Sequence, residues 1–240
     1  METNVKSGLG RVLAAVCATA ALAATAACSA DAADGKSDEK PAAKASKASK
    51  PGLKPLSEAQ LEKAALTKGD LKGYRVSTPG ADEIPDVSVP AKPASCQAIA
   101  DLFLLGTEPD AKARVARSVI SVTETDATIL RVGLFGHEES DAKKVLADLR
   151  GQSESCDSYE HTDYQYTDVE PGKAPALGDE AVSYTMAGVI DGEKMQMGYT
   201  VVRSGSTVLA FQAMNVLDGK KAEVPAEIVE KQVGKLEQQA

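Results

Sequence analysis

The 240-residue chain contains no tryptophan, three phenylalanines and six tyrosines, so aromatics make up only 4% of it. That scarcity argues against a site that stacks sugars or encloses a cation in an aromatic cage. Histidine is equally scarce, with only His137 and His161. Each stands among polar neighbours and reads as a surface residue rather than as a base or a metal ligand. Recognisable catalytic spacings are missing as well: there is no HExxH, no GxSxG, no glycine-rich phosphate loop and no CxxC pair. Zinc hydrolysis, serine-nucleophile chemistry, P-loop phosphoryl transfer and dithiol exchange lose their usual supports. Glu138, Glu139 and Asp141 follow His137, but they stand where a helix begins, and its positive end favours acids without any metal. Asp179 and Glu180 follow Gly178 just before a strand and read as turn residues. No catalytic residue, metal site or cofactor is therefore assigned. Positive charge is the last deficit: residues 57–240 hold 30 acidic against 19 basic side chains, a net of −11. Such a field repels nucleic acid.

What is present begins at the N-terminus. Lys6 and Arg11 precede an almost wholly apolar, uncharged run from Val12 to Ala27, which small residues close. This is the layout of a signal peptide over residues 1–27, and the run is short of the roughly 20 strongly apolar residues of a permanent span. Ala24-Thr25-Ala26-Ala27-Cys28 resembles the lipobox of bacterial lipoproteins, in which the cysteine is acylated and becomes the new N-terminus. Thr25 departs from the aliphatic residue usual there, and ordinary cleavage after Ala26 is the rival, giving a secreted protein.

Cysteine arithmetic bears on that choice. Cys17 leaves with the signal, so Cys28, Cys96 and Cys156 remain. In an oxidising compartment an odd thiol needs an explanation. Lipidation of Cys28 supplies one and leaves Cys96 and Cys156 to pair, closing a loop worth about 4 kcal/mol. Alternatively both are buried free thiols. The expected location is the outer face of the cell membrane, with the lipid anchor as the membrane contact.

Residues 28–56 are rich in Ala, Lys, Ser, Asp and Pro and carry too little apolar surface to offset their ordering entropy, so they read as a disordered linker. From residue 57 the pattern becomes globular. Ser57 and Gln60 have capping-box spacing ahead of Leu61, predicting a helix. Tyr74 to Ser77 reads as a short strand, and a proline-punctuated loop leads to a helix over 95–105 with Cys96 in its first turn. Strands are expected at 114–123 and 128–135, then a helix capped by Ser140 that runs towards Cys156. Three further strands, 180–190, 194–203 and 207–216, are separated by Asp191-Gly192 and Ser204-Gly205-Ser206, both suited to hairpins. A two-residue turn at the first places Val182 opposite Val201, Tyr184 opposite Tyr199 and Met186 opposite Met197. Pro225 opens a last helix through Ile228, Val229, Val233 and Leu236. The sum is one α+β domain over 57–240, with a mainly antiparallel sheet of five to seven strands and helices packed on one face.

Apart from Met1, every methionine lies in the C-terminal meander. Methionine fills irregular cores and also lines adaptable apolar pockets. Tyr184, Met186, Met197 and Tyr199 are therefore either core or the wall of a ligand cleft.

A lipoprotein-like start, Leu71-Lys72-Gly73-Tyr74, Cys96 opening a helix, Cys156 ending another and Ala176-Leu177-Gly178-Asp179-Glu180-Ala181 before a strand occur together here. In this combination the chain resembles the PknH-like extracellular domains of actinobacteria, which occur as sensor modules of transmembrane kinases and as free-standing lipoproteins. The resemblance implies a twisted antiparallel sheet with helices alongside, a structural disulfide between Cys96 and Cys156, and a cleft for an extracellular ligand. The expected function is a non-enzymatic sensor or ligand-binding domain of the cell envelope, meeting a small molecule, a lipid, a wall fragment or a protein. A structural or chaperone-like envelope component and an enzyme with an unrecognised site are the alternatives.

Overall fold

A computed structural model describes residues 53–239 apart from 81, 86, 124, 191 and 220. The expected signal peptide, Cys28 and the part of the expected linker up to residue 52 lie outside the described residues. Residues 53–56, assigned to the linker by composition, pack on the domain: Leu53 N–H donates to the Glu139 carboxylate at 3.2 Å, and the Ser206 hydroxyl donates to the Lys54 carbonyl at 2.8 Å.

The elements, in chain order, begin with α1 (Glu58–Ala64), β1 (Tyr74–Ser77), α2 (Gln97–Phe103), β2 (Ala113–Ser121), β3 (Thr128–Gly136) and α3 (Glu139–Ser155). They continue with β4 (Tyr159–His161), β5 (Tyr164–Pro171), β6 (Glu180–Ile190), β7 (Glu193–Ser204), β8 (Thr207–Asn215) and α4 (Ala226–Glu237). A single sheet runs in the order β1-β2-β3-β8-β7-β6-β5-β4, antiparallel at every step. The α+β class stands, and the strand count among the described residues is eight. The hairpin β4–β5 is the piece that pattern reading passed over. The expected β6–β7 register is present: Val182↔Val201, Tyr184↔Tyr199 and Met186↔Met197.

Helices cover both faces of the sheet, which corrects the expectation of one covered face. On the first face α2 and α3 seal a core that includes Phe135, Tyr159, Tyr166, Tyr184, Met186, Met197 and Tyr199. On the second, α1 and α4 bury Val115, Val119, Leu130, Val132, Leu134, Leu209 and Phe211. The physical reason is alternation: the central strands β2, β3 and β8 are apolar at both odd and even positions, and a sheet apolar on both faces must be covered on both.

Local chemistry explains where the helices start and how they join. The Ser57 and Gln60 side chains form the expected capping box, while α3 begins at Glu139, earlier than a Ser140 cap implies. Cys96, at the foot of α2, is disulfide-bonded to Cys156 at the end of α3, and both are buried. The first and last helices are joined by Gln232, which is fully buried on α4. Its carbonyl accepts from Leu66 N–H at 2.9 Å and its amide donates to the Ala64 carbonyl at 2.8 Å. These are backbone groups left over where α1 ends. Arg117, also buried, donates to the Leu66 carbonyl at 2.9 Å and pairs with Glu62 at 2.5 Å.

Candidate functional site

The second face is covered unevenly. The first turns of α4 border a cleft of about 490 Å³ over β6 and β7. Its floor is Ser183, Thr185 and Thr200, alternate residues of β6 and β7 whose odd and even neighbours supply the core on the other side. The Ser183 and Thr200 hydroxyls hydrogen-bond each other at 3.1 Å. One wall is segment 172–177; the other is segment 222–224 with Ala226, Val229 and Glu230 of α4.

Each wall has an identifiable anchor. The 172–177 segment ends on Gly178, which has φ +62° and sits so close to the Arg203 carbonyl that a Cβ would collide with it. Glycine is the residue that tolerates both conditions. Asp179 and Glu180 then grip the buried Arg203: its Nη1 donates to Asp179 at 2.7 Å and its Nε to Glu180 at 2.6 Å. Asp179 also accepts from Gly205 N–H at 2.8 Å. These two carboxylates are thus spent on fixing a turn. On the opposite wall, Asn215 accepts from the N–H groups of Leu217 and Asp218 at 3.0 and 2.9 Å, and the Gly219 carbonyl accepts from Gln196 N–H at 2.7 Å. The chain then crosses β7 at Gly198, where any side chain would strike the Ala222 carbonyl.

Tyr184 and Tyr199 border this cleft and Met186 and Met197 do not, but the side chains of all four belong to the core of the first face. All four are buried in the core of the first face, each no more than 2% exposed. The Tyr184 and Tyr199 rings stack at 4.6 Å, the Tyr159 hydroxyl donates to the Met186 sulfur at 3.2 Å, and Gln212 donates to the Tyr199 hydroxyl at 2.8 Å. Burial holds the Tyr184 and Tyr199 hydroxyls well above their usual pKa. Of the two readings left open by the sequence, core is the one realised. The sequence marks Ala176, Leu177 and Val229 for other reasons, while small serines and threonines carry no pattern that would mark Ser183, Thr185 and Thr200 as the floor of a cleft.

The histidines also differ from expectation, since both are buried. His161 packs edge-on to Phe103 at 6.2 Å beside Tyr159 and Tyr166. Burial lowers its pKa, against smaller opposing effects of Asp101 and the Val89 backbone. His137 lies 3.3 Å by Nε2 from the Thr107 hydroxyl, which itself donates to the Pro109 carbonyl at 3.0 Å. With the Thr107 proton on the Pro109 carbonyl, the His137 ring N–H is the donor in that contact; the direction follows the imidazole tautomer. A second concavity beside Thr107, of about 440 Å³, is lined by Asp101, Asp110 and Arg114. Asp101 accepts there from Ser88 and Gln97 at 2.7 and 2.9 Å. Among the described residues no group of His, Cys, Asp and Glu is placed to hold a metal ion, and no helix is long and apolar enough to cross a membrane.

No family model and no curated protein matches the chain. Among solved structures, the extracellular domain of PknH from Mycobacterium tuberculosis superposes with a TM-score of 0.50 at 9% identity, covering 78% of this chain and 98% of that one. The chain has the fold of the PknH extracellular domain. Two further Mycobacterium structures align less well. The M. smegmatis ortholog of Rv0999 gives a TM-score of 0.36 at 13% identity, over 75% of this chain and 92% of its own. LpqN of M. tuberculosis, involved in cell envelope biogenesis, gives 0.23 at 16% identity, over 61% and 73%. In this PknH-type fold the sheet supplies the floor of the cleft, and two anchored segments supply its walls.

Proposed function

We propose that this chain is a non-enzymatic lipoprotein of the cell envelope, tethered through Cys28 to the outer face of the membrane, whose domain binds a small ligand in the cleft on the second face. The observation that carries the reading is the cleft itself: a volume of about 490 Å³ between two walls that are each fixed by part-buried hydrogen bonds. Concavities of this size suit small molecules, and rigid walls reduce the ordering cost of binding.

Mass spectrometry of molecules released from the envelope-purified chain tests the binding role. An enriched species that disappears in Ala226→Trp, which fills the cleft from its α4 wall, is the expected result; identical spectra from both proteins would remove the reading. For the tether, Cys28→Ser is expected to abolish partition into detergent, and unchanged membrane association would show the anchor to be wrong.

A further inference from the structure

The lining of the cleft narrows the chemistry of its occupant. Aromatic rings are turned away: Tyr184 and Tyr199 stack on each other within the opposite core, so nothing in the cleft offers the flat face on which sugars and bases stack. Its floor carries hydroxyls, without the amide or guanidinium forks that grip pairs of sugar hydroxyls. One hydrogen bond joins two of those hydroxyls, on Ser183 and Thr200, at 3.1 Å; it pairs one of their two donors and so lowers, without removing, the cost of covering them with apolar matter. Between the charged lips the walls are aliphatic, with Leu177, Val224 and the buried Val229 their largest apolar side chains.

Charge sits only at the lips. Lys173 stands on one wall and Glu223 and Glu230 on the other, all exposed. No hydrogen bond or ion pair engages any of the three among the described residues. An occupant that complements this arrangement has an aliphatic body and, at one end, a positive and a negative group side by side.

Resting on the cleft as the ligand site, we propose that it takes a single-chain zwitterionic amphiphile. The acyl chain lies along the Ser183–Thr200 floor, the ammonium faces Glu223 and Glu230, and the anionic group faces Lys173.

Lysophosphatidylethanolamine, below its micelle concentration, is the probe, with a free long-chain fatty acid as the comparison and the mature full chain as the protein. Native mass spectrometry is expected to show one lysolipid per chain, bound about tenfold more tightly than the fatty acid. Thr185→Trp, which fills the floor, should remove both complexes, and Ala226→Trp should do the same from the other side should the first variant fold poorly. The double reversal Glu223→Lys and Glu230→Lys should leave the chain site intact and turn the preference towards the fatty acid. Lysolipid binding that survives both tryptophans, or no lysolipid binding to the natural chain, overturns the proposal. If the probe fails while an envelope-derived molecule is still displaced by Ala226→Trp, the amphiphile is wrong and the cleft stands as the site. If neither is displaced, both fall.

Discussion

The two faces of strands β6 and β7 are made from alternate residues of the same chain segments and have opposite fates. Val182, Tyr184, Met186, Met197, Tyr199 and Val201 go into a sealed core under α3, while Ser183, Thr185 and Thr200 form an open floor. Side-chain period two makes such a division automatic. What differs is what lands on each side. On the sealed face α3 is held by the Cys96–Cys156 bond and runs across β5 to β8; on the open face α4 touches β7 and begins at the cleft, and the rest of that wall is a crossing segment made possible by Gly198. A stable, closed side thus backs a rigid, accessible one.

The contrast is most strongly challenged on the sealed side. Tyr199→Ala removes a stacked, hydrogen-bonded ring from the core and is expected to cost about 3–5 kcal/mol, read as a lower denaturant midpoint with unchanged slope. A loss below about 1 kcal/mol would mean that this face is not tightly packed. Gln232→Leu comes next. It strands the Leu66 N–H and the Ala64 carbonyl and is expected to cost about 1–3 kcal/mol, measured in the same way; a neutral result would show that the α1–α4 contact does not depend on it.

Acid is a finer probe of the same face. The pKa values of His161 and His137 are lowered in the fold, chiefly by burial. Above the ordinary histidine value of about 6.5 both states are neutral and stability is full. As pH falls below that value the unfolded chain binds protons first, so stability declines until the depressed folded values are reached. Denaturation midpoints should fall between about pH 7 and pH 5, and His161→Phe should flatten part of that decline. An unchanged slope in the variant would remove His161 from the account. The smallest effect belongs to the open face: Thr185→Val should shift stability by no more than about 0.5 kcal/mol, and a larger loss would show the floor to be part of the core.

Much of the sheet was legible in advance, for reasons visible in particular residues. The β6–β7 register follows from a two-residue turn, since counting outwards from it pairs every residue and the bulky ones coincide. Leu209 and Phe211 of β8 alternate with Val208 and Ala210, so both faces are apolar there, and α1 and α4 cover the second. The β4–β5 hairpin stayed hidden because Asp157 to Asp168 is polar and broken by Thr162 and Asp163 at φ 52° and 64°. His161 inherits its burial from that hairpin and from Phe103, far away in sequence. Gly178-Asp179-Glu180 was visible as a turn, but its grip on Arg203 was not.

The sequence by itself determined the α+β class and the antiparallel C-terminal meander with its register, which depend on local alternation and on turn length. It left Cys96 and Cys156 either paired or as buried free thiols, and the structure joins them. Only the tertiary structure decided that the tyrosine and methionine layer is core and that the serine and threonine layer is floor. Alternation separates two faces without saying which one a helix will cover. That choice was made by contacts between residues as distant as Leu66 and Gln232, and by a backbone crossing at Gly198.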